Sequence, residues 1–442
     1  MPSVPEVPPA PIRPSARDAS SSPVLTSRYV DHLLAQDRHQ PDEPALTDLV
    51  ETWTWRELAR HAAAVAQILE DTPDETVVVN LVDRRLRSVA AAFGVMWAGR
   101  TLVSLDVNDP MSRLEEACER SNAGVVLDAS GRGPAAIGDR RVRPFPEPLP
   151  DSTVWPRVVP APRHRRSAIF FTSGSTGRAK AAARTYENLF HYLDAWGVSG
   201  WMPALRSAVF LPVHFTAGFG PLIHGPVDGR FTVMMDAVNT GVDELLRAMI
   251  EHNVQQVYVT PSLLRTLAGA AREHGPFTAL QHVWAVGEPM MWSDIAAART
   301  AFGDHLTFGV GYGATEALAI RCITVVRPND PIGEGRVPLG RPVHEDWVRI
   351  DRDGFDNGLG ELIFRGLLVE GYLDEPELET QRFGVDPDGI RIWRSGDIVA
   401  DVDGVLEHRG RVDDLIKIAG RLVEPAEAEA ALRRTSGIRN SV

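Results

Sequence analysis

The stretch FFTSGSTGRAKAAA, residues 170–183, joins an apolar pair to a run rich in Ser, Thr and Gly that a single lysine, Lys180, closes. A glycine-rich turn after a strand exposes backbone N–H groups, which together with hydroxyls and an ammonium group can bind a phosphate chain. The Walker spacing is not met, because only two residues separate Gly174 from Gly177 and Ala181 follows the lysine. Taken alone, the stretch is equally compatible with a flexible surface loop. Other parts of the sequence must decide between the two.

The composition predicts a soluble globular protein with more than one folded unit, since 442 residues are 44% hydrophobic and 24% charged. No window approaches 18 consecutive apolar residues and no signal peptide is recognisable, so we expect a cytoplasmic protein without a membrane span. Two cysteines, Cys118 and Cys322, argue against a disulfide framework. The net charge of −13, without a block of basic residues, argues against nucleic acid as a partner.

The order of helical and strand-like segments predicts an α/β architecture. Residues 1–24 are rich in Pro, Ser and Ala and are expected to form a disordered leader. Helical stretches such as TWRELARHAAAVAQILED (54–71) then alternate with β-rich runs such as ETVVVNLV (75–82). This alternation favours helical layers around mostly parallel sheets. Thr260 before Pro261 predicts a helix start.

The pattern changes from Leu359 onward. Short strands separated by Gly and Asp turns indicate a smaller β unit. A final helix, PAEAEAALRRT (425–435), is expected just before the chain stops at Val442, seven residues later. The segment around this helix therefore has the appearance of a domain that has only begun.

Five motifs together resemble the adenylate-forming superfamily, which contains acyl-CoA synthetases, aryl-acid ligases and the adenylation domains of nonribosomal peptide synthetases. They occur in the order typical of that family, and the resemblance runs from about Leu25 to the C-terminus. The motifs are TSGSTGRAK (172–180), GYGATE (311–316), GELIFRG with EGYL (360–373), WRSGDI (393–398) and HRGRVDDLIKIAGRLVEPAEAE (408–429).

The resemblance implies an α/β adenylate-forming fold. Its large N-terminal portion, residues 25–410, would contain layered α/β sheets and the small β unit. Residues 411–442 would form the hinge and the start of a truncated C-terminal subdomain. The implied reaction is attack of a carboxylate on the α-phosphate of ATP, which gives an acyl-adenylate and pyrophosphate, usually followed by acyl transfer to a thiol.

The resemblance also assigns the phosphate loop, which embraces the β- and γ-phosphates. Ala179 and Ala181 replace the Pro and Gly that usually flank the loop lysine. Gly287 and Glu288 fall where the adenine-side loop of the family lies. The residues that match the phosphate loop are Thr172, Ser173, Gly174, Ser175, Thr176, Gly177 and Lys180.

Five further residues match nucleotide-binding positions of the family. Tyr312 would stack on adenine, Thr315 would hydrogen-bond the α-phosphate, and Glu316 would hold the Mg²⁺ ion between phosphate oxygens. Asp397 would accept hydrogen bonds from the ribose hydroxyls, with Arg411 near the ribose or the phosphate. The alternatives are a sheet-end aromatic for Tyr312 and an ordinary turn residue for Asp397.

Asp413 corresponds to the hinge about which the C-terminal subdomain of the family rotates, and Gly420 to the loop that lines the pantetheine tunnel. The catalytic lysine of the family lies near the far end of that subdomain, and Lys417 is too early in the pattern to replace it. We therefore expect either a fragment without most of the small subdomain or a natural protein with impaired first-step chemistry. Such a chain would bind ATP and acyl-AMP analogues but turn over slowly.

The substrate segment departs from amino-acid-activating relatives. Where those carry a Phe-Asp pair, whose carboxylate binds the substrate ammonium group, this sequence has Phe215 and Thr216. The segment LPVHFTAGFGPLIHGPVDG (211–229) is instead similar to acyl-CoA synthetases, in which His214 would lie between the carboxylate and the incoming thiol. A core histidine is the alternative for His214. Candidate pocket walls are Val213, Phe215, Thr216, Ala217, Phe219, Val286, Met290 and Gly311.

The sequence thus predicts ATP- and Mg²⁺-dependent activation of a carboxylic acid without an α-amino group. Thr315, Glu316, His214 and Lys180 are the predicted catalytic residues, and the phosphopantetheine thiol of CoA or of a carrier protein is the predicted acceptor. One rival is an amino-acid adenylation domain that binds the ammonium group by other means, for example through Asp236 or Glu288. Another rival is a nucleotide- or acyl-adenylate-binding protein without turnover.

Overall fold

The computed structural model describes residues 27–151, 153–172, 179–190, 205–318, 320–412, 416–418 and 421–423. Its helices are α1 Ser27–His39, α2 Trp55–Ile68, α3 Leu86–Trp97, α4 Met111–Arg120, α5 Thr216–Val227, α6 Val242–Glu251, α7 Pro261–Ala270, α8 Trp292–Phe302 and α9 Pro376–Arg382. Short 3₁₀ turns span Ala271–Glu273 and Glu345–Trp347. The expected leader and the expected helix at 425–435 lie outside the described residues.

The strands of the first half are β1 Pro44–Thr47, β2 Thr52–Thr54, β3 Val77–Val82, β4 Thr101–Asp106, β5 Ala123–Asp128, β6 Ala136–Ile137, β7 Arg140–Pro144, β8 Arg166–Thr172, β9 Lys180–Thr185, β10 Ser207–Val209 and β11 Thr232–Met234. Those of the second half are β12 Gln256–Val259, β13 His282–Ala285, β14 Thr307–Gly313, β15 Ile320–Val326, β16 Arg341–Pro342, β17 Val348–Asp351, β18 Leu359–Arg365, β19 Gly371–Tyr372, β20 Phe383–Val385, β21 Arg391–Val402, β22 Val405–Arg411, β23 Ile416–Ile418 and β24 Arg421–Val423.

Two large sheets confirm the predicted α/β alternation. The first sheet has the order β16-β15-β14-β13-β12-β10-β11-β1-β2 and is parallel from β14 to β1. The second sheet has the order β19-β9-β8-β4-β3-β5-β7-β6 and is parallel from β8 to β7. In both sheets the antiparallel strands are at the edges.

A third, antiparallel sheet corresponds to the smaller β unit predicted from Leu359 onward. It contains β17, β18, β21 and β20 in that order, with β22 paired to β21. It begins slightly earlier than predicted, at Val348, because β17 pairs with β18. The backbone of β23 and β24 forms a separate two-stranded hairpin.

The main hydrophobic core lies between the two large sheets and contains α2, α3 and α5. α3 is buried on almost every side, which its alanine-rich sequence permits, since small side chains let helices approach closely. Gly94 is required at the contact of α3 with α2, because a Cβ atom there would lie 2.5 Å from the Ala62 carbonyl oxygen. Among the described residues, no helix is long and apolar enough to cross a membrane.

Local sequence signals set the helix starts. The Thr54 hydroxyl accepts from the Glu57 backbone N–H while the Glu57 carboxylate accepts from the Thr54 N–H, a capping box at the start of α2. Thr260 caps α7 more simply, because its hydroxyl accepts from the Leu263 backbone N–H, and Pro261 lies in the first turn, which confirms the predicted start.

The fold brings the two large sheets together at the predicted motifs. β19 pairs with β9, the strand that begins at Lys180. The backbone N–H of Val369, just before β19, donates to the Glu316 carbonyl oxygen after β14 (3.0 Å). The motifs of the second sheet and those of the first sheet are thereby joined through one short strand.

Candidate active site

The loop after β14 is anchored by a buried arginine. The Nη2 atom of Arg184 donates to the carbonyl oxygens of Thr315 (3.1 Å) and Leu318 (2.9 Å), and its guanidinium group lies over the Phe170 ring (4.8 Å). Only 4% of Arg184 is exposed. The position of Thr315 is therefore set by a strand of the second sheet.

Thr315 meets the start of α5. Its Oγ1 atom lies 3.0 Å from Oγ1 of Thr216, so that one hydroxyl donates to the other. Phe215, the cap residue of α5, provides no side-chain cap to the helix. The structure thus brings together a predicted α-phosphate ligand and the predicted substrate residue that replaces an aspartate.

Glu316 is held by two residues that sequence reasoning did not select. The Tyr372 hydroxyl donates to Glu316 Oε1 (2.6 Å), and Trp393 Nε1 donates to the Tyr372 oxygen (3.1 Å). All three side chains are buried. Burial raises the pKa of Tyr372, and the Glu316 charge raises it further, so the phenol remains a donor. Tyr372 lies in the quoted motif EGYL and Trp393 in WRSGDI. Their contacts with Glu316 and with each other join three separate segments of the chain, so neither motif alone reveals them.

Glu316 fits a single-carboxylate Mg²⁺ site. Among the described residues, no group of three or more His, Cys, Asp or Glu side chains could hold a metal ion. Mg²⁺ is usually bound by one or two carboxylates together with substrate phosphates and water, so a full protein cage is not required. Tyr372 occupies Glu316 Oε1, and the carboxylate has further acceptor positions.

Lys180 lies at the base of the predicted phosphate loop. Thr172 ends β8 and pairs with Lys180 at the start of β9, so the loop closes a β-hairpin. The ammonium group lies 5.7 Å from the centre of the Tyr372 ring, within cation–π range. The predicted loop residues Ser173, Gly174, Ser175, Thr176 and Gly177, and likewise Asp413 and Gly420, lie outside the described residues.

Asp397 is surrounded by hydrogen-bond donors. The Tyr312 hydroxyl donates to Oδ2, while Arg411 Nη1 (2.7 Å) and His408 Nε2 (3.2 Å) lie at Oδ1. Burial alone would raise the pKa of Asp397, but the hydrogen bonds from His408 and Tyr312 and the Arg411 charge outweigh it and hold that pKa below its ordinary value. Burial and the Asp397 charge raise the pKa of Tyr312. The pair is therefore an ionised carboxylate and a neutral phenol.

His214 lines a cavity of about 260 Å³ together with Phe215, Phe171, Ser104 and Arg84. Burial lowers the pKa of His214 to about 4; the charge of Asp106 opposes this shift, and that of Arg84 adds to it. The imidazole is consequently neutral at neutral pH and can accept a hydrogen bond. The cavity is bounded by the two ends of the phosphate loop, since Phe171 and Ala179 belong to its wall.

The predicted pocket walls fall into two groups. Val213, Phe219 and Met290 are at most 3% exposed and belong to the core, with Phe219 edge-on to Phe170 at 5.3 Å. Phe215 is 48% exposed at the cavity. Ala217 is exposed, whereas Thr216, Val286 and Gly311 are half-buried.

Ile320 is a wall residue that sequence reasoning missed. A Cβ atom at Gly311 would lie 2.5 Å from Ile320 Cδ1, so the isoleucine side chain covers the glycine. The absence of a side chain at Gly311 is the only sequence signal for this contact. Ile320 is half-buried at the start of β15, next to Gly313.

The two carboxylates that could replace the missing aspartate have other partners. Glu288, beside Gly287 in the adenine-side segment, accepts from the backbone N–H of Ser262 (3.0 Å) and from its hydroxyl (2.8 Å) at the start of α7. Gly287 has a φ of +87°, which favours glycine. Asp236 Oδ1 lies 3.2 Å from Arg84 Nη1.

Comparison with known proteins places this geometry in a family. A model of the family described as AMP-binding enzyme matches residues 33–373. Surfactin synthase subunit 2 of Bacillus subtilis is 27% identical over 435 residues, which are 92% of this chain and 12% of that protein. Phosphinothricin tripeptide synthetase PhsC of Streptomyces viridochromogenes is 30% identical over 92% of this chain and 38% of that protein. The chain thus spans only part of the length of these relatives.

A solved structure supports the fold. The unliganded form of O-succinylbenzoate coenzyme A synthetase from Bacillus subtilis has a TM-score of 0.77 with 18% identity, and the match covers 92% of this chain and 88% of that one. At this identity the likeness concerns the fold alone. With the family model spanning most of the sequence, the chain belongs to the AMP-binding enzyme family and so to the adenylate-forming superfamily that its motifs resemble.

Proposed function

We propose that this enzyme activates a carboxylic acid without an α-amino group as its acyl-adenylate and transfers the acyl group to a phosphopantetheine thiol. The observation that carries the substrate class is Thr216. Its hydroxyl is paired with the Thr315 hydroxyl, at the position where the resemblance to amino-acid-activating relatives predicts a carboxylate. A neutral hydroxyl cannot offset the charge of a buried ammonium group.

The surroundings of Thr216 support the same substrate class. Asp236 is paired with Arg84, and Glu288 accepts two hydrogen bonds from Ser262, so neither carboxylate needs an ammonium partner. Ile320 lies against Gly311, and Val286, like Ile320, is a partly buried apolar residue packed against the main core. An acyl, aryl, hydroxy or keto acid would meet no charge penalty in such a pocket.

In the first step, a carboxylate oxygen of the acid bonds to the α-phosphorus of ATP, and the bond to the bridging oxygen breaks as pyrophosphate leaves. Both reactants are anions, so positioning and charge neutralisation are the main tasks of the protein. Lys180 binds the leaving phosphates, Thr315 donates to the α-phosphate, and Asp397 binds the ribose. Mg²⁺, held by Glu316, would neutralise phosphate charge.

In the second step, the thiol sulfur bonds to the acyl carbon, the carbon–oxygen bond to AMP breaks, and the thiol proton is released. The neutral imidazole of His214 lies at the wall of the cavity and can accept a hydrogen bond from the thiol, although burial lowers its pKa to about 4 and makes it a weak base at neutral pH. CoA and a carrier protein present the same phosphopantetheine thiol, and both remain candidates for the acceptor.

An amino-acid adenylation domain is the second candidate. It is favoured by the identity to peptide synthetases from Bacillus and Streptomyces. In that case the ammonium group would bind to another acceptor in the pocket, and Asp236 or Glu288 would exchange its present partner for the substrate. A binding protein without turnover is the third candidate and would show neither reaction.

Matched acid pairs distinguish these candidates. Each pair contains an amino acid and its des-amino or hydroxy counterpart with the same side chain, and kcat/KM is measured for pyrophosphate release on the longest natural form of the protein. We expect the acid without an amino group to be preferred. A tenfold preference for the amino acid in every pair, about 1.4 kcal/mol, would contradict the proposal and favour the amino-acid adenylation domain instead.

A further inference from the structure

His408 connects Asp397 to a distant arginine. Its Nε2 atom lies 3.2 Å from Asp397 Oδ1, and its Nδ1 atom lies 2.8 Å from Arg336 Nη1. The His408 side chain is 13% exposed and that of Asp397 is 12% exposed. Neither His408 nor Arg336 was selected from the sequence, because their nearness to Asp397 depends on strand pairing and on a remote loop.

The two contacts determine the tautomer of His408. A guanidinium group has donors only, so Nδ1 of His408 must accept the hydrogen bond from Arg336. A proton is then carried on Nε2, from which the ring donates to Asp397. Arg336 therefore selects the form of His408 that binds the carboxylate.

A β-bulge brings His408 and Arg411 to the same side of the third sheet. Residues three positions apart on a regular strand point to opposite faces. Here Val399 pairs with His408 and Ile398 with Gly410, so Arg409 is the extra residue of a bulge. His408 and Arg411 both point toward Asp397 as a result.

Arg336 belongs to a segment fixed to the start of α8. It forms an isolated bridge with Met291, and the Val337 N–H donates to the Met290 carbonyl oxygen (2.8 Å). The Trp292 N–H donates to the Gly335 carbonyl oxygen (3.0 Å). The charged side chains around His408 thus come from three elements, with Asp397 on β21, Arg411 on β22 and Arg336 on this segment.

The donors around Asp397 leave a defined acceptor position. A carboxylate has about four lone-pair positions. Within the described part of the chain, His408 and Arg411 occupy two at Oδ1 and Tyr312 occupies one at Oδ2. The remaining position is on Oδ2, beside the Tyr312 hydroxyl.

We propose that His408 is a positioning residue which, with Arg336, fixes the Asp397 carboxylate so that Oδ2 accepts a hydrogen bond from a ribose hydroxyl of the nucleotide. This inference rests on the proposed function, in which Asp397 binds ribose. The role of His408 is to restrict carboxylate rotation, and its expected effect is on the recognition of the ribose hydroxyls rather than on nucleotide binding in general.

The test measures nucleotide affinity by calorimetry without any acid, using ATP, 2′-deoxy-ATP and 3′-deoxy-ATP. His408→Phe keeps a ring but removes both nitrogens, whereas His408→Gln keeps one acceptor and one donor. We expect wild type to prefer ATP over at least one deoxy analogue by roughly tenfold, the size of one charge-assisted hydrogen bond. His408→Phe should bring that preference close to one, and His408→Gln should retain most of it.

A second variant keeps the test informative if His408→Phe does not fold. Arg336 lies at the surface, so Arg336→Met should fold. Without the Arg336 donor, His408 can also carry its proton on Nδ1, and in that form it does not donate to Asp397. The preference for ATP over the deoxy analogues should therefore decrease. An unchanged ATP to deoxy-ATP ratio in either folded variant overturns the inference while leaving the proposed function intact. If wild type itself fails to bind ATP, the proposed function fails instead.

Discussion

Glu316 is a single buried carboxylate whose orientation is fixed by hydrogen bonds. The Tyr372 hydroxyl orients one of its oxygens, and Trp393 orients that hydroxyl. Burial of an ionised carboxylate is costly unless it is hydrogen-bonded, and Tyr372 provides that bond without supplying a compensating positive charge. The site is therefore suited to bind a cation that arrives with the nucleotide.

Replacement of Glu316 by Gln is expected to remove most adenylation activity, roughly a hundredfold or more, because the change is nearly isosteric and removes only the charge. The measurement is ATP–pyrophosphate exchange at several Mg²⁺ concentrations, with the melting temperature as the check on folding. Glu370→Gln is the matched control, since Glu370 pairs with Arg166 at the surface. Equal activity of Glu316→Gln and wild type at an unchanged melting temperature would reject the assignment.

At the scale of an element, the start of α5 joins the proposed substrate residue to the proposed α-phosphate ligand. The helix starts at Thr216, whose hydroxyl contacts Thr315, and its buried face contributes Phe219 to the main core. An acidic residue in the first turn of a helix is favoured by the helix dipole, so an aspartate would be tolerated at this position. The choice of threonine is thus not imposed by helix stability.

Thr216→Asp is expected to shift the preference within matched acid pairs toward the amino acid by about tenfold to a hundredfold, since a charge-assisted hydrogen bond contributes about 1.5–3 kcal/mol. Thr216→Asn, which has the same shape without the charge, is the control and should show no such shift. The readout is the ratio of kcat/KM values within each pair. An equal shift in both variants would show that shape, and not charge, discriminates the substrates.

At the scale of the whole molecule, three histidines with lowered pKa values, of which His224 is the most buried, are expected to make stability depend on pH. Burial lowers the pKa of His61 to about 4, that of His214 to about 4 and that of His224 to about 3. Their ordinary value in an unfolded chain is about 6.5. Between these values the unfolded state binds more protons, so their contribution to stability is complete above pH 6.5 and is lost as the pH falls through the folded values.

We expect the free energy of unfolding to decrease as the pH falls from 7 to 5, with up to about 1.4 kcal/mol per pH unit for each proton taken up. His224, which shares a hydrogen bond with the Tyr29 hydroxyl (3.1 Å), gives the matched variant. In His224→Gln, unfolding should take up as much as one proton fewer in this pH range. The slope of the unfolding free energy against pH should therefore fall by up to about 1.4 kcal/mol per pH unit, whatever the change in stability at pH 7. Denaturant titrations at several pH values measure this slope, and identical slopes would contradict the expectation.

Local signals predicted the elements because they act over a few residues. The helix start at Thr260 and the helical and β-rich stretches 54–71 and 75–82 depend on residues within one helical turn or one strand, and the structure has α7, α2 and β3 there. The order of the motifs likewise predicted the superfamily, which the family match confirms. The roles assigned to single residues within those motifs remain predictions.

The sequence by itself determined the α/β class, the start of α7 and the superfamily, whereas the role of Thr216 in substrate choice stays a prediction. Tertiary structure decided which side chains orient the site: Tyr372 at Glu316, His408 with Arg336 at Asp397, and Ile320 over Gly311. Each of these contacts joins elements that the sequence separates, or depends on a bulge that reverses the side-chain alternation of a strand. A pattern of neighbouring residues specifies local conformation, whereas the meeting of remote side chains depends on how the sheets pair and pack.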